Sequence, residues 1–142
     1  MTALPASIDP SLGVAAAVYA ALNGQLSIGS GSPPETVPVY DDVPQGADYP
    51  YVVIGDQIDQ PMDGVVARRD DTLLYLSVWS TEPGQKQVKT IMGDISRLLH
   101  RRRLPMAAGS MIICTVIRQR STRDADNVTR MGQMTLRILT ED

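Results

Sequence analysis

The nine residues Thr72–Ser80, TLLYLSVWS, decide how the rest of this chain can fold. In an extended segment Leu74, Leu76 and Val78 point to one face, while Leu73, Tyr75 and Trp79 point to the other. Apolar residues on both faces describe a central strand covered on both sides, the second cover being another helix or another subunit. The segment that follows supplies one cover. Val88, Ile91, Met92, Ile95, Leu98 and Leu99 recur at helical spacing, with Lys86, Lys89, Asp94 and Arg97 on the opposite side. Arg101, Arg102 and Arg103 suit the negative end of that helix, and Pro105 prevents its continuation.

Upstream, VYDDVPQGADYPYVVIGD (Val39–Asp56) contains a short extended piece at Val39–Tyr40, turn residues at Pro44-Gln45-Gly46, and a β-branched strand from Tyr51 that Gly55 is expected to end. Pro50 holds Tyr49 extended and stands where a strand tolerates proline. A polar loop is then expected near 55–71, and a second loop near 29–37, where GSGSPPE is rich in breakers. Near the N-terminus Asp9 is a suitable N-cap and Pro10 a suitable first helical residue. Leu12, Ala15, Ala16, Tyr19, Leu22 and Leu26 are expected along the buried side of the helix that follows. Two further strands, MIICTVIRQR and NVTRMGQMTLRILT, are expected as a hairpin joined through residues 121–126. The order of elements predicts an α+β fold in one domain spanning 1–142: an antiparallel sheet with two main helices packed on it. Leu74, Leu76, Val78, Ile91, Ile95, Leu98, Val116, Leu136 and Ile138 are expected in its core.

Few residues are available for chemistry. Cys114 is the only cysteine and His100 the only histidine, so one chain cannot assemble an internal disulfide or a zinc site of the usual ligands. A lone cysteine suits a reducing compartment. His100 reads as a solvated residue at a helix end, and Cys114 as a small apolar core residue. Asp41 and Asp42 lack the spaced ligands and closing Glu of a calcium loop. The glycines at 29–31 lack the Lys-Ser/Thr pair of a phosphate-binding loop. No catalytic residue, cofactor or metal is expected. No apolar run approaches the roughly 18 residues that cross a bilayer, and no signal peptide is expected from MTALPASIDP.

Charge is the informative feature. From Glu35 to Asp71 there are nine acidic residues against Arg68 and Arg69; from Lys86 to Arg130 there are ten basic residues against three acidic ones. Two segments of opposite sign, net −7 and +7, thus sit in a chain whose overall charge is −3. Subunits meeting head to tail would use such a separation, and a contact of that type closes into a ring when the rotation allows. The expected acidic side is Asp41, Asp42, Asp56, Asp59 and Asp63; the expected basic side is Arg101, Arg102, Arg103, Arg118, Arg120 and Arg123. Arg68 and Arg69, at the end of the polar loop, are expected at a subunit or partner interface too. Simple segregation of sheet and helix surfaces is the competing reading. Nucleic-acid binding ranks lower, because the chain is acidic overall and its arginines are not interleaved with aromatics.

Taken together, the N-terminal helix, VYDDVPQGADYPYVVIGD, the polar loop, LLYLSVWSTEPGQKQVKTIMGDISRLL and the two final strands resemble the tail-completion, or tail-terminator, proteins of long-tailed bacteriophages and of phage-like gene transfer particles. GSGSPPE is longer and more polar than the family pattern, and RSTRDADN matches it loosely. The resemblance implies a structural virion protein of the tail and neck, assembled in the host bacterial cytoplasm. Such subunits form a ring, commonly sixfold, at the head-proximal end of the tail tube. The ring ends tube growth and offers a surface to head-completion proteins. Its partners would be further copies of itself, tail-tube protein and a neck protein, with DNA only passing through the channel and no membrane involved. Another neck component, such as a head-completion or adaptor protein, or a stand-alone intracellular binding module are the alternatives.

Overall fold

The structure is a computed structural model that describes residues 13–29, 35–62, 69–123, 126 and 128–141. In chain order the elements are α1 (Val14–Leu22), β1 (Ser27–Ile28), β2 (Glu35–Thr36), β3 (Val39–Tyr40), β4 (Tyr51–Pro61), β5 (Arg69–Ser80), α2 (Lys86–Leu99), β6 (Ser110–Arg123) and β7 (Arg130–Glu141). The main sheet has the order β3-β4-β5-β7-β6, and β1 with β2 forms a separate two-stranded ladder. The fold is α+β. All pairs of the main sheet are antiparallel except β3 with β4, which run parallel through Val39↔Val52 and Tyr40↔Val53.

β5 is central, as its two-faced apolar pattern requires. Leu74, Leu76 and Val78 are at most 1% exposed, and they pair across β7 with Leu136, Met134 and Gly132. α2 lies over this face, contacting β5, β6 and β7, and α1 packs beside it against α2 and β3. Val88, Ile91, Met92, Ile95 and Leu99 of α2 are buried, whereas Leu98 and Val116 are half-buried at the margin of the core. Gly132 sets how closely α2 approaches: a Cβ there would lie 2.6 Å from Val88 Cγ1 and 2.7 Å from Met92 Sδ. The opposite face, with Leu73, Tyr75, Trp79, Met131 and Leu139, carries no described helix. Only one of the two covers expected from β5 is therefore within the described chain.

Several expectations are corrected. The loop expected near 55–71 is mostly strand. β4 continues through Gly55 to Pro61 and β5 already begins at Arg69, with residues 63–68 outside the described set. A bulge between Ile54 and Gln57 places two residues opposite Tyr75, which breaks the alternation that reveals a strand in sequence. The loop expected near 29–37 contains Glu35–Thr36 of β2, paired with Ile28 and Ser27, and Val37 is buried; residues 30–34 lie outside the described set. In α1 the buried side is Val14, Ala17, Val18 and Leu22, while Ala16 and Tyr19 are exposed and Leu26 is buried beyond the helix. A helix that is apolar nearly all round gives periodicity little contrast to read. Asp9, Pro10 and Leu12 lie outside the described residues. β6 runs on through Ser121–Arg123, which was expected as connection.

His100 is not merely solvated. It caps α2 half-buried, and its Nδ1 accepts a hydrogen bond from the Val116 N–H at 3.0 Å. Arg101 follows in the left-handed conformation (φ 57°), and Arg102 then pairs with Cys114 on the outer edge of β6. Around β4, Tyr51 stacks on Tyr49 at 5.1 Å and meets Tyr40 edge-on at 5.8 Å, tying the β3 approach to the sheet. Pro44-Gln45-Gly46 forms the expected turn, closed by the Ala47 N–H on the Pro44 carbonyl.

Two substitutions test this packing by chemical denaturation. Ile95→Ala should lower the unfolding free energy by about 2–5 kcal/mol. Gly132→Ala, which pushes a methyl group into Val88 and Met92, should cost about 1–3 kcal/mol. Unchanged stability in both would mean that α2 does not sit on β7.

Candidate assembly surfaces

The strand order turns a separation along the sequence into one in space. Residues 35–62 contain six acidic residues and no Lys or Arg, and they form β2, β3 and β4, at and beside one edge of the main sheet. Residues 97–123 contain seven arginines and no acidic residue, and they run from the end of α2 into β6, the opposite edge. Four interstrand spacings, about 19 Å, separate the two edges.

All the expected site residues except Asp63 and Arg68 fall within the described structure. Asp41 and Asp42 are exposed in the bend after β3. Asp56 is exposed in the β4 bulge. Asp59 is exposed on β4, accepting hydrogen bonds from Thr72 Oγ1 at 2.8 Å and Gln57 Nε2 at 2.9 Å. Asp63 and Arg68 lie outside the described residues. Arg69 does not belong to a loop surface: it opens β5 and pairs with Glu141 of β7 at 3.4 Å. Arg101, Arg102 and Arg103 are exposed beside β6, and Arg103 Nε donates to the Met111 carbonyl at 3.2 Å. Arg118 and Arg120 stand on the uncovered face of β6, opposite Thr135 and Gln133, and Arg123 ends the strand. The consecutive arginines 101–103 are partly committed to holding the turn, so Arg118 and Arg120 are the more available cations of this edge.

The uncovered face holds a shallow open depression of about 360 Å³, bordered by Asp56, Tyr75, Ser77, Gln133, Arg118 and Arg120. Its groups donate and accept hydrogen bonds, but they include no cysteine or histidine, and no described cluster of three or more His, Cys, Asp or Glu could hold a metal. Beside it Arg137 grips Asp71 with two nitrogens, Nε at 3.1 Å and Nη2 at 2.8 Å; the carboxylate raises the guanidinium pKa further. This pair was not among the residues expected from sequence, because its members are 66 positions apart and only β5–β7 pairing brings them together. Near β7, Asp126 accepts from the Val128 and Thr129 N–H groups and the Thr129 hydroxyl, which lowers its pKa. These are structural interactions in the middle of the sheet and at a turn.

Comparison with known proteins agrees in kind. The family model described as tail completion protein gp17 matches residues 16–141. A chain in the solved virion of a native gene transfer agent (GTA) particle superposes with a TM-score of 0.81 at 20% identity, covering 96% of this chain and 100% of that one. No curated protein matches the sequence.

Burial pushes the Cys114 thiol pKa up to about 12, so the thiolate is scarce at any ordinary pH. In the folded protein Cys114 should resist alkylation at pH 8 and react only after denaturation, as mass spectrometry of the labelled chain would show. Rapid native labelling would place β6 differently.

Proposed function

We propose, from the premise that this chain belongs to the tail completion protein gp17 family and is a structural protein of the virion's tail and neck, that it closes the tail as a ring. Copies join head to tail at the head-proximal end of the tail tube, six being the number the family resemblance suggests. The ring ends tube growth and gives the neck proteins a surface on which to dock, while DNA passes through its centre. The observation that carries this reading is the placement of a wholly acidic and a wholly basic segment at opposite edges of one sheet. In a ring each subunit presents one edge to each neighbour, so complementary charge sets the register and opposes reversed contacts.

Electron microscopy of particles lacking the protein tests the role: overlong or unjoined tails are expected, and normal tails would refute it. The contact is tested by charge reversal. Arg118→Glu with Arg120→Glu should impair capping, most at low salt, because exposed pairs are worth only about 0–1 kcal/mol each and are screened. Adding Asp41→Lys and Asp42→Lys, which lie outside the depression that Arg118 and Arg120 border, should restore capping. A single-sided variant that caps tails like the parent at low salt would remove the charge contact.

A further inference from the structure

Both edges of the main sheet are incomplete strands. β3 covers only Val52 and Val53 of the eleven-residue β4, so no described strand pairs with the outer edge of β4 from Gly55 to Pro61. On the far side, Arg102 bridges to Cys114 and His100 takes the Val116 N–H, but no described strand lies outside β6 from Ile117 to Arg123. The direction of the main-chain groups follows from hydrogen bonds within the subunit. The Met62 N–H bonds to the Arg69 carbonyl, so alternation turns Asp59 away from β5, toward the open side. Cys114 and Val116 face outward, and the bulge at Ile117 shifts the outward positions to Gln119 and Ser121. Each edge thus offers a short run of outward N–H and C=O groups, an arrangement that pairs readily with another strand.

We propose that the occupant of each edge is a second copy of this chain: the outer edge of β4 in one subunit forms a main-chain ladder with the outer edge of β6 in the next. This deepens the ring reading above and rests on it. Three features point to a copy of the same chain. First, the edges are complementary in charge, with Asp56 on β4 lying on the same uncovered face as Arg118 and Arg120 on β6. Second, strand direction permits it. Along β4-β5-β7-β6 each strand is antiparallel to the next, so β4 and β6 run oppositely. Subunits related by rotation about an axis roughly along the strands then bring β6 against β4 as an antiparallel pair, and the same step repeats around the ring. Third, each edge exposes a β-branched apolar residue beside its charges, Ile58 at 54% and Ile117 at 50%, which a neighbouring strand would cover. Charged residues, Pro61 and the two bulges discourage indiscriminate edge pairing, so the ladder favours the partner of opposite sign. Such joining makes the sheets of all subunits one continuous sheet around the ring.

Hydrogen exchange followed by mass spectrometry, on free protein and on protein assembled on tail tubes, tests the ladder. Peptides containing the Asp59, Gln119 and Ser121 amides should exchange at least about tenfold more slowly in the assembly, because outward amides would gain partners. A second variant, Gln119→Pro, removes one outward N–H and leaves the β6–β7 bonds in place; it should fold with the parent's stability yet assemble poorly. A ring visible by microscopy in which those amides exchange at the free-subunit rate overturns the ladder and leaves the ring standing. A Gln119→Pro variant that assembles like the parent also overturns it. Capped tails without any ring overturn both.

Discussion

The seating of α2 on β7 at Gly132 is the contact on which the remaining architecture depends. Val88 and Met92 occupy the space that a side chain at position 132 would need, and this close approach lets one helix reach β5, β7 and β6 together. The apolar side of α2 and the inward residues of the three strands then form one continuous core, joined at the β3 side by α1. The stabilising burial is concentrated on that single face. Helices cover it, and the face beyond it keeps Tyr75, Trp79 and Leu139 together with hydrogen-bonding and charged residues.

One-sided cover shapes the electrostatics. In the middle of the uncovered face opposite charges are paired within the subunit: Arg137 holds Asp71, and Arg69 meets Glu141. Toward the edges, Asp56, Asp59, Arg118 and Arg120 form no ion pair among the described residues. β4 carries carboxylates and β6 carries guanidinium groups, with two strands between them. Asp56 shares the open depression with Arg118 and Arg120, whereas exposed charges farther apart than the screening length of about 8 Å interact weakly within one subunit at physiological salt. A sheet with paired charges at its centre and charges of one sign along each edge has the pattern on which the proposed ring contact rests.

How much of this was legible depended on whether a signal was local. β5 and α2 could be read directly, because their apolar residues repeat with the periods of a strand and a helix and their neighbours do not. The far half of β4 could not: its residues are polar toward both faces, and the bulge at Gly55-Asp56 interrupts the alternation. α1 was recognisable as a helix, but its orientation was not, because Ala and Val surround it and only contact with α2 and β3 selects Val14 and Val18 for burial. His100 looked like a surface residue until β6 came alongside to offer it the Val116 amide.

The sequence by itself determined the α+β class, the central strand, the main amphipathic helix, the scarcity of reactive residues and the existence of two oppositely charged segments. All of these are properties of short windows, carried by periodicity or composition. Tertiary structure alone decided that β7 inserts between β5 and β6, that β3 runs parallel to β4, and that the acidic and basic segments become opposite edges of one sheet. Strand order is set by which surfaces bury one another across tens of residues. Hydrogen-bond pairing of that range leaves no repeating mark in the local sequence.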